Sequence, residues 1–399
     1  MKIPVKNCSS CGACANVCAH GAIAMMLNKE GFYRPVVDPS KCVKCGLCEK
    51  ICPWENEVFN PNGSSKAPKT VAAYALNDDI RLQSSSGGVF TILAENVLDD
   101  GGVVAGVAQL SSTRFGHIVV DNKADLAKLR GSKYVQADLG TIYRDVRTLL
   151  KAGRKVLFSG TPCQVAALYA VLGNQANSAN LFTVDVVCHG VPSVKVFEKY
   201  IKELECDKSA MALKTYFRDK SKGWRLFSMT SSLKMPAGNS ESFSQTLRED
   251  VFMRLFLRNL CLNKSCVACR YGKIPRIADI TMGDYWNIAD IHPEMDDNKG
   301  TSVVLLNTVH GELLFNSISN GLVLCESSLE KAVVGNPCIV RSSRSHRNRA
   351  KFFENLNKYT LEELIQKCDG DLPLHWRFYC MVRGFLGRVK LRITNRLRK

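Results

Sequence analysis

Eight cysteines fall in two copies of one spacing, Cys8-x2-Cys11-x2-Cys14-x3-Cys18 and Cys42-x2-Cys45-x2-Cys48-x3-Cys52, and the second copy runs into Pro53. This spacing wraps 4Fe-4S cubanes. Two-residue gaps let three thiolates of one tight loop reach three irons of a cube, while the fourth cysteine lies too far along to close that cube and ligates its neighbour. One cluster is therefore expected on Cys8, Cys11, Cys14 and Cys52, and the other on Cys42, Cys45, Cys48 and Cys18. Corresponding cysteines are 34 residues apart, since 42 − 8 and 52 − 18 agree, as expected of two half-modules about a pseudo-twofold axis. Zinc takes paired Cys-x2-Cys knuckles rather than three cysteines at x2 followed by one at x3. Disulfides call for an oxidising compartment, and the opening residues MKIPVKNCSSC hold no apolar signal region before the first ligand. The expectation is a cytoplasmic electron carrier.

A second set of cysteines lies far along the chain. Cys163 follows an expected strand in Gly160-Thr161-Pro162-Cys163-Gln164, Cys188 follows another in Val187-Cys188-His189-Gly190-Val191-Pro192, and Cys266 and Cys269 have x2 spacing. In a parallel α/β sheet the carboxyl ends of the strands share one edge, so Cys163 and Cys188 can converge there. With Cys266 and Cys269 they would supply four thiolates to a third cubane. The competing readings are a nucleophilic Cys163 with His189 as its base and four inert core thiols. Cys261 is a rival fourth ligand through Cys261-x4-Cys266-x2-Cys269. Cys206, Cys325, Cys338, Cys368 and Cys380 show no ligand spacing and read as ordinary thiols.

The elements that must position these residues follow from pattern. Residues 21–38 alternate well enough for short strands covering the first clusters. The Pro/Gly/Ser-rich stretch Asn60 to Pro68 reads as a linker. Beyond it come a strand Thr70 to Leu76, a helix from Val89, a strand near Val103 to Val107, a helix Leu139 to Ala152, a strand Lys155 to Phe158 and a strand Leu181 to Val187. Strands alternating with helices imply α/β architecture. Gly101, Gly102 and Gly106 do not match G-x-G-x-x-G, which excludes a classical dinucleotide fingerprint. Ser84-Ser85-Ser86-Gly87-Gly88, leading into a helix, offers either backbone N–H groups to phosphate or an ordinary serine cap.

Two resemblances follow from these motifs. Residues 1–56 resemble the bacterial two-cluster ferredoxin family, with Ala19 in place of the proline expected after Cys18. Over residues 70–335, Gly131-Ser132-Lys133-Tyr134-Val135-Gln136, Gly160 to Gln164, Cys188 to Ser193 and Asp279-Ile280-Thr281-Met282-Gly283-Asp284-Tyr285-Trp286 are similar to signatures of the beta subunit of coenzyme F-420 hydrogenase/dehydrogenase. The resemblance implies FAD and a 4Fe-4S cluster in this domain, with FAD near Ser86, Gly87, Gly88, Ser132, Lys133, Tyr134 and Gln136. Lys133 and Asp284 are the candidate catalytic residues, Lys133 as a cation near the flavin and Asp284 as a group positioning flavin or substrate. Cubanes move single electrons and hydride chemistry moves two, so a flavin is the natural converter between them.

The expected fold is thus an α+β ferredoxin-like two-cluster module (1–58), a linker (59–69), and an α/β flavin-binding catalytic domain in two parts (70–152 and 153–335). A basic extension (336–399) completes the chain. The 399 residues carry a formal +17, of which residues 341–399 contribute a net +10. From Trp376 to Lys399 there is no acidic residue, and Phe378, Val382, Phe385, Leu386, Val389 and Ile393 recur at helical spacing beside arginines. Such a tail can pack on its own domain or dock on an acidic partner, and the expectation pursued here is that it lies peripherally on anionic membrane. No recognition motif accompanies the charge, which argues against nucleic acid. The functional expectation is an oxidoreductase that takes electrons from a partner protein into the ferredoxin clusters and passes them through FAD to a small hydride acceptor, coenzyme F-420 or another. The alternative is a pure electron-transfer protein that feeds a separate catalytic partner, such as one serving polysaccharide synthesis.

Overall fold

The computed structural model describes residues 7–369, so the basic tail from Trp376 lies outside the described residues. Among the described residues thirteen strands are formed: β1 (Ile23–Leu27), β2 (Tyr33–Val37), β3 (Lys69–Ala75), β4 (Val103–Gln109), β5 (Phe115–Val120), β6 (Val156–Gly160), β7 (Leu181–Val186), β8 (Met211–Asp219), β9 (Ser228–Lys234), β10 (Ser240–Thr246), β11 (Ile280–Asp284), β12 (Ser302–Leu306) and β13 (Leu322–Ser327). Every strand and helix expected between residues 70 and 187 is present, with ends shifted by a few residues at most.

An eight-stranded mixed sheet in the order β13-β3-β12-β11-β7-β6-β4-β5 organises the larger part. Strands β4, β6, β7 and β11 are parallel, so their carboxyl ends open on one edge. Side chains alternate between two buried faces, as a sheet covered by helices on both sides requires. Leu157 of β6 joins the core under the helix Val89–Asp99, while its neighbours Val156 and Phe158 join the core under the helices Ile142–Lys151 and Pro162–Leu172. A separate antiparallel sheet, β10-β9-β8, flanks this body.

The two-cluster module, built on the hairpin β1-β2, is docked firmly on the same body. Cys11 and Ala13 belong to the core that covers Phe158 and Tyr143. Arg144 donates to the carbonyls of Ala15, Asn16 and Cys18, and the Asn16 amide donates to Gly140 O at 2.9 Å. Gly31, at φ +77°, turns the hairpin where a β-carbon would collide with Lys195 and Ser193, so the turn presses directly on the start of the helix Val194–Lys208. Residues 60–65, which read as a free linker, form a strap instead. The Asn60 and Asn62 amides donate to the buried Asp279 carboxylate, and Ser65 N donates to Asn307 O. Polar composition marks a segment as unable to build its own core; it says nothing of buried acceptors elsewhere that the segment can satisfy.

Residues up to Ser345 form one compact unit, which includes the module, and a second unit begins at His346. In the second, the helices Arg349–Asn355 and Leu361–Asp369 pack through Phe352, Leu356, Leu361, Leu364 and Ile365. Among the described residues, no helix is long and apolar enough to cross a membrane.

The polar element of greatest structural reach is Arg276, 1% exposed, paired at 3.2 Å with Asp185, 0% exposed. Its guanidinium also donates to the carbonyls of Tyr271, Val186 and Ile339. Removing one member of a fully buried pair strands the other charge, at a cost of about 3–5 kcal/mol. Arg276→Met and Asp185→Asn should therefore each lower the thermal unfolding midpoint clearly, whereas Arg144→Lys should shift it far less. An unchanged midpoint in Arg276→Met would refute this assignment.

Candidate functional site

The first motif folds as a loop entering the helix Ala13–Val17 through Gly12 in the left-handed conformation. Cys8, Cys11, Cys14 and Cys52 line one small cavity together with Met25, Pro53 and Trp54. The distant Cys52, not the nearby Cys18, thus joins the first three. Burial pushes the Cys8, Cys11 and Cys14 thiols up, and neighbouring thiols push Cys11 and Cys14 further. Such a set is unfavourable as thiolates unless a cationic group offsets them, and iron in a cubane supplies that charge. The donor set therefore fits the cluster chemistry. Backbone N–H groups already point at sulfur, Ser10 N to Cys8 Sγ at 3.2 Å and Ala22 N to Cys18 Sγ at 3.3 Å. Cys18 packs in one apolar cluster with Cys48, and Cys45 is exposed.

The second thiol group assembles at the carboxyl edge of the parallel strands. β6 ends at Gly160 and is followed by Thr161, which caps the helix Pro162–Leu172 reciprocally with Gln164 and places Cys163 in its first turn. β7 ends at Val186, two residues before Cys188. Burial first, then repulsion from Cys269, pushes the Cys163 thiol up to about 12. Burial also raises Cys188, with Cys266, Cys269 and Cys338 adding to it. The structure thus brings Cys163, Cys188, Cys266 and Cys269 together, and Val191 N donates to Cys266 Sγ at 3.3 Å. Cys338 also approaches Cys188, a neighbour that sequence spacing did not signal. Cys261 is fully buried, and its carbonyl accepts from Ser193 N. His189 bonds Asn259 at 2.6 Å, while Cys163 bonds Thr161 at 3.2 Å.

The two thiol groups are neighbours. Cys163 adds electrostatically to the raised pKa of Cys11, and Tyr143 and Tyr271 both feel Cys11 and Cys163. The Tyr143 hydroxyl donates to Cys11 O and the Tyr271 hydroxyl to Pro53 O, each at 2.9 Å. One buried ring, Tyr143, and one partly buried ring, Tyr271, therefore stand beside both sites.

Beyond Cys163 and Cys188 opens a cavity of about 600 Å³, within the ~300–1,000 Å³ range of ligand pockets. Its lining includes Ser84 to Ser86, Gly131 to Gln136, Ser159 to Gly160, Met282 to Asp284, and Ser9 and Ser10 from the first cluster loop. Of the residues expected around FAD, Ser86, Gly88, Ser132, Lys133, Tyr134 and Gln136 line it, and Gly87 lies between two lining residues. Gly87 serves backbone packing: a β-carbon there would overlap Ala73 O and lie within 3.0 Å of Ser302, whose hydroxyl accepts from Gly87 N. The helix that follows is capped by Gly88 with no side-chain cap, so the serine-cap reading is not what forms. Ser85 instead accepts from Ser132 N at 2.8 Å, lacing the two cavity loops together.

The Lys133 ammonium donates to Leu129 O and Arg130 O at 2.7 and 2.9 Å, and burial, with repulsion from Lys214, brings its pKa down to about 7. Gln136 accepts from Tyr33 N at 2.8 Å, joining the cavity wall to the module. Asp284 grips Arg218 with both oxygens at 2.8 Å and accepts from Trp224 Nε1 at 2.6 Å. Burial opposes the Arg218 charge, and Asp284 and Tyr134 more than offset it, keeping the guanidinium protonated. Arg218 also reaches Tyr134 OH and Ser85 O, and its Nε is buried without a partner. Lys220 donates to Ser86 O, Arg81 O and Lys299 O. Sequence reading missed both Arg218 and Lys220, because they stand on and just after β8, far from any motif.

Residues 7–56 match the family model of the 4Fe-4S dicluster domain. Residues 70–142 match the N-terminal model, and residues 153–332 the C-terminal model, of the beta subunit of coenzyme F420 hydrogenase/dehydrogenase. An uncharacterized protein of Methanocaldococcus jannaschii is 23% identical over 363 residues, covering 82% of this chain and 91% of that protein. A subunit of the F420H2 dehydrogenase of Methanosarcina mazei is 21% identical over 214 residues, 49% of this chain and 58% of that protein. A chain of the F420-reducing [NiFe] hydrogenase complex of Methanosarcina barkeri aligns at a TM-score of 0.46 and 16% identity, covering 75% of this chain and 95% of that one.

Since a cubane holds four irons, Cys163→Ala, Cys188→Ala, Cys266→Ala and Cys269→Ala should each lower anaerobically measured iron by about four per chain. Cys206→Ala, Cys261→Ala and Cys338→Ala should leave it unchanged. Loss of iron in Cys261→Ala with retention in Cys188→Ala would reassign the fourth ligand.

Proposed function

The chain belongs to the family of coenzyme F420 hydrogenase/dehydrogenase beta subunits and carries a 4Fe-4S dicluster domain, and on that footing we propose that it is an iron-sulfur flavoprotein oxidoreductase. In this reading it relays single electrons through three cubanes to FAD and exchanges hydride with a small acceptor, a deazaflavin such as coenzyme F420 or another molecule. The observation that carries it is the shared wall: Cys163 and Cys188 line the same cavity as the loops Ser84 to Ser86 and Gly131 to Gln136, and Ser9 and Ser10 of the first cluster loop reach it too.

The order of relay follows from adjacency. A partner redox protein meets the Cys18, Cys42, Cys45 and Cys48 site, where Cys45 is exposed and Val43 and Leu47 present 58% and 41% of their surface. Cys8, Cys11, Cys14 and Cys52 would hold the next cluster inward and Cys163, Cys188, Cys266 and Cys269 a third, with Tyr143 and Tyr271 beside both, and such clusters would supply one-electron steps. FAD, when bound, converts between one-electron and hydride chemistry. Ser86, Gly88, Ser132, Tyr134 and Gln136 would hold it from the cavity wall. Lys133 shapes the turn at Gly131 by binding the carbonyls of Leu129 and Arg130. Asp284, with both oxygens engaged, is a positioning residue that fixes Arg218, and Arg218 presents the positive charge to the cavity.

Anaerobic purification followed by iron, sulfide and flavin determination tests the proposal. About twelve irons and one FAD per chain are expected, from four irons in each of three cubanes. About eight irons and no flavin would instead establish an electron carrier serving a separate catalytic partner. Asp284→Ala should lower flavin occupancy while leaving iron unchanged.

A further inference from the structure

His292, Glu294 and Cys325 form a second cluster of ligand-type side chains, remote in sequence from every cysteine motif. His292 is 9% exposed and opens the turn Pro293–Met295 that carries Glu294. Cys325 lies on β13, an edge strand of the large sheet. His292 Nδ1 stands 3.4 Å from Cys325 Sγ and 3.5 Å from Glu294 Oε1, and Cys325 Sγ stands 3.6 Å from Glu294 Oε1.

We propose that these three side chains bind a zinc ion with an open fourth position. Zinc bonds are about 2.3 Å to sulfur, about 2.05 Å to imidazole nitrogen and about 2.1 Å to carboxylate oxygen. Around a tetrahedral centre these lengths place S and N about 3.6 Å apart, N and O about 3.4 Å, and S and O about 3.6 Å. The three observed separations agree with that triangle to within about 0.2 Å. The imidazole is also oriented for the task. Its Nε2 bonds Ser327 Oγ at 2.9 Å, and Ser327 bonds Tyr285 OH at 2.5 Å. Nε2–H donating to Ser327 leaves the Nδ1 lone pair facing Cys325 and Glu294, the outer-shell arrangement usual behind a metal-bound histidine.

A thiolate with an imidazole favours zinc over magnesium or calcium. On binding, the Cys325 thiol loses its proton to solvent as the S–Zn bond forms. The Glu294 side chain is 63% exposed, so water can reach the fourth position. The ion would clasp the edge strand to the turn that follows Trp286, a cavity-lining residue stacked on Trp224 at 4.9 Å. The proposal does not depend on the flavin reading.

The test uses the iron-loaded protein incubated with one equivalent of zinc sulfate, desalted, and assayed for zinc and iron together by mass spectrometry. Wild type should retain about one zinc more than Cys325→Ser or Glu294→Gln, at equal iron. Both variants alter partly exposed positions, so they remain informative even if His292→Ala fails to fold. Equal zinc in wild type and Cys325→Ser, or zinc uptake matched by loss of iron, overturns the site.

Discussion

The buried Arg276–Asp185 pair is the interaction on which the arrangement of thiols depends. Asp185 stands near the end of β7, just before Cys188, and Arg276 stands just before β11. From there Arg276 holds the carbonyl of Tyr271, two residues past Cys269, and that of Ile339, next to Cys338. One planar cation with several donors thus fixes three chain segments that no regular hydrogen-bond ladder connects. The sheet supplies the common edge, and the ion pair supplies the register of the loops on it.

The same economy recurs elsewhere in the fold. Asp279 takes the strap at Asn60 and Asn62 while also accepting from Thr183 and Thr308. Asp284 takes Arg218 and Trp224. Lys220 ties the Ser86 loop to Lys299. Buried charges here are satisfied by several loops at once, so their desolvation cost is offset by hydrogen bonds that also set loop positions.

The cysteine spacing and the strand-helix alternation were legible because both are local signals. The convergence of Cys163 and Cys188 followed from one geometric rule about parallel strands, whereas Cys266 and Cys269 were added on their spacing alone. Arg218 was invisible because its significance comes from Asp284, 66 residues away, and its strand pairs with serine-rich β9, which lacks the β-branched run that marks a strand. The role of Asp284 was half legible: a carboxylate at the end of a central strand marks a site, but only the fold reveals that its oxygens are already committed. The strap at residues 60–65 misled for a related reason, since Asp279 was read as part of a motif and not as a buried acceptor.

The burial of Cys11 in the core of the α/β body bears on how the molecule conducts. Many redox proteins carry a cluster on a tethered head that swings between donor and acceptor, and their turnover is set by the swing. Here the module is part of the keel: Tyr143 binds the carbonyl of Cys11, Arg144 those of Ala15, Asn16 and Cys18, and Gln136 the N–H of Tyr33. The placement of Cys11 relative to Cys163 is therefore set by the fold, and in the relay proposed above the internal step would have the character of a fixed wire rather than a shuttle.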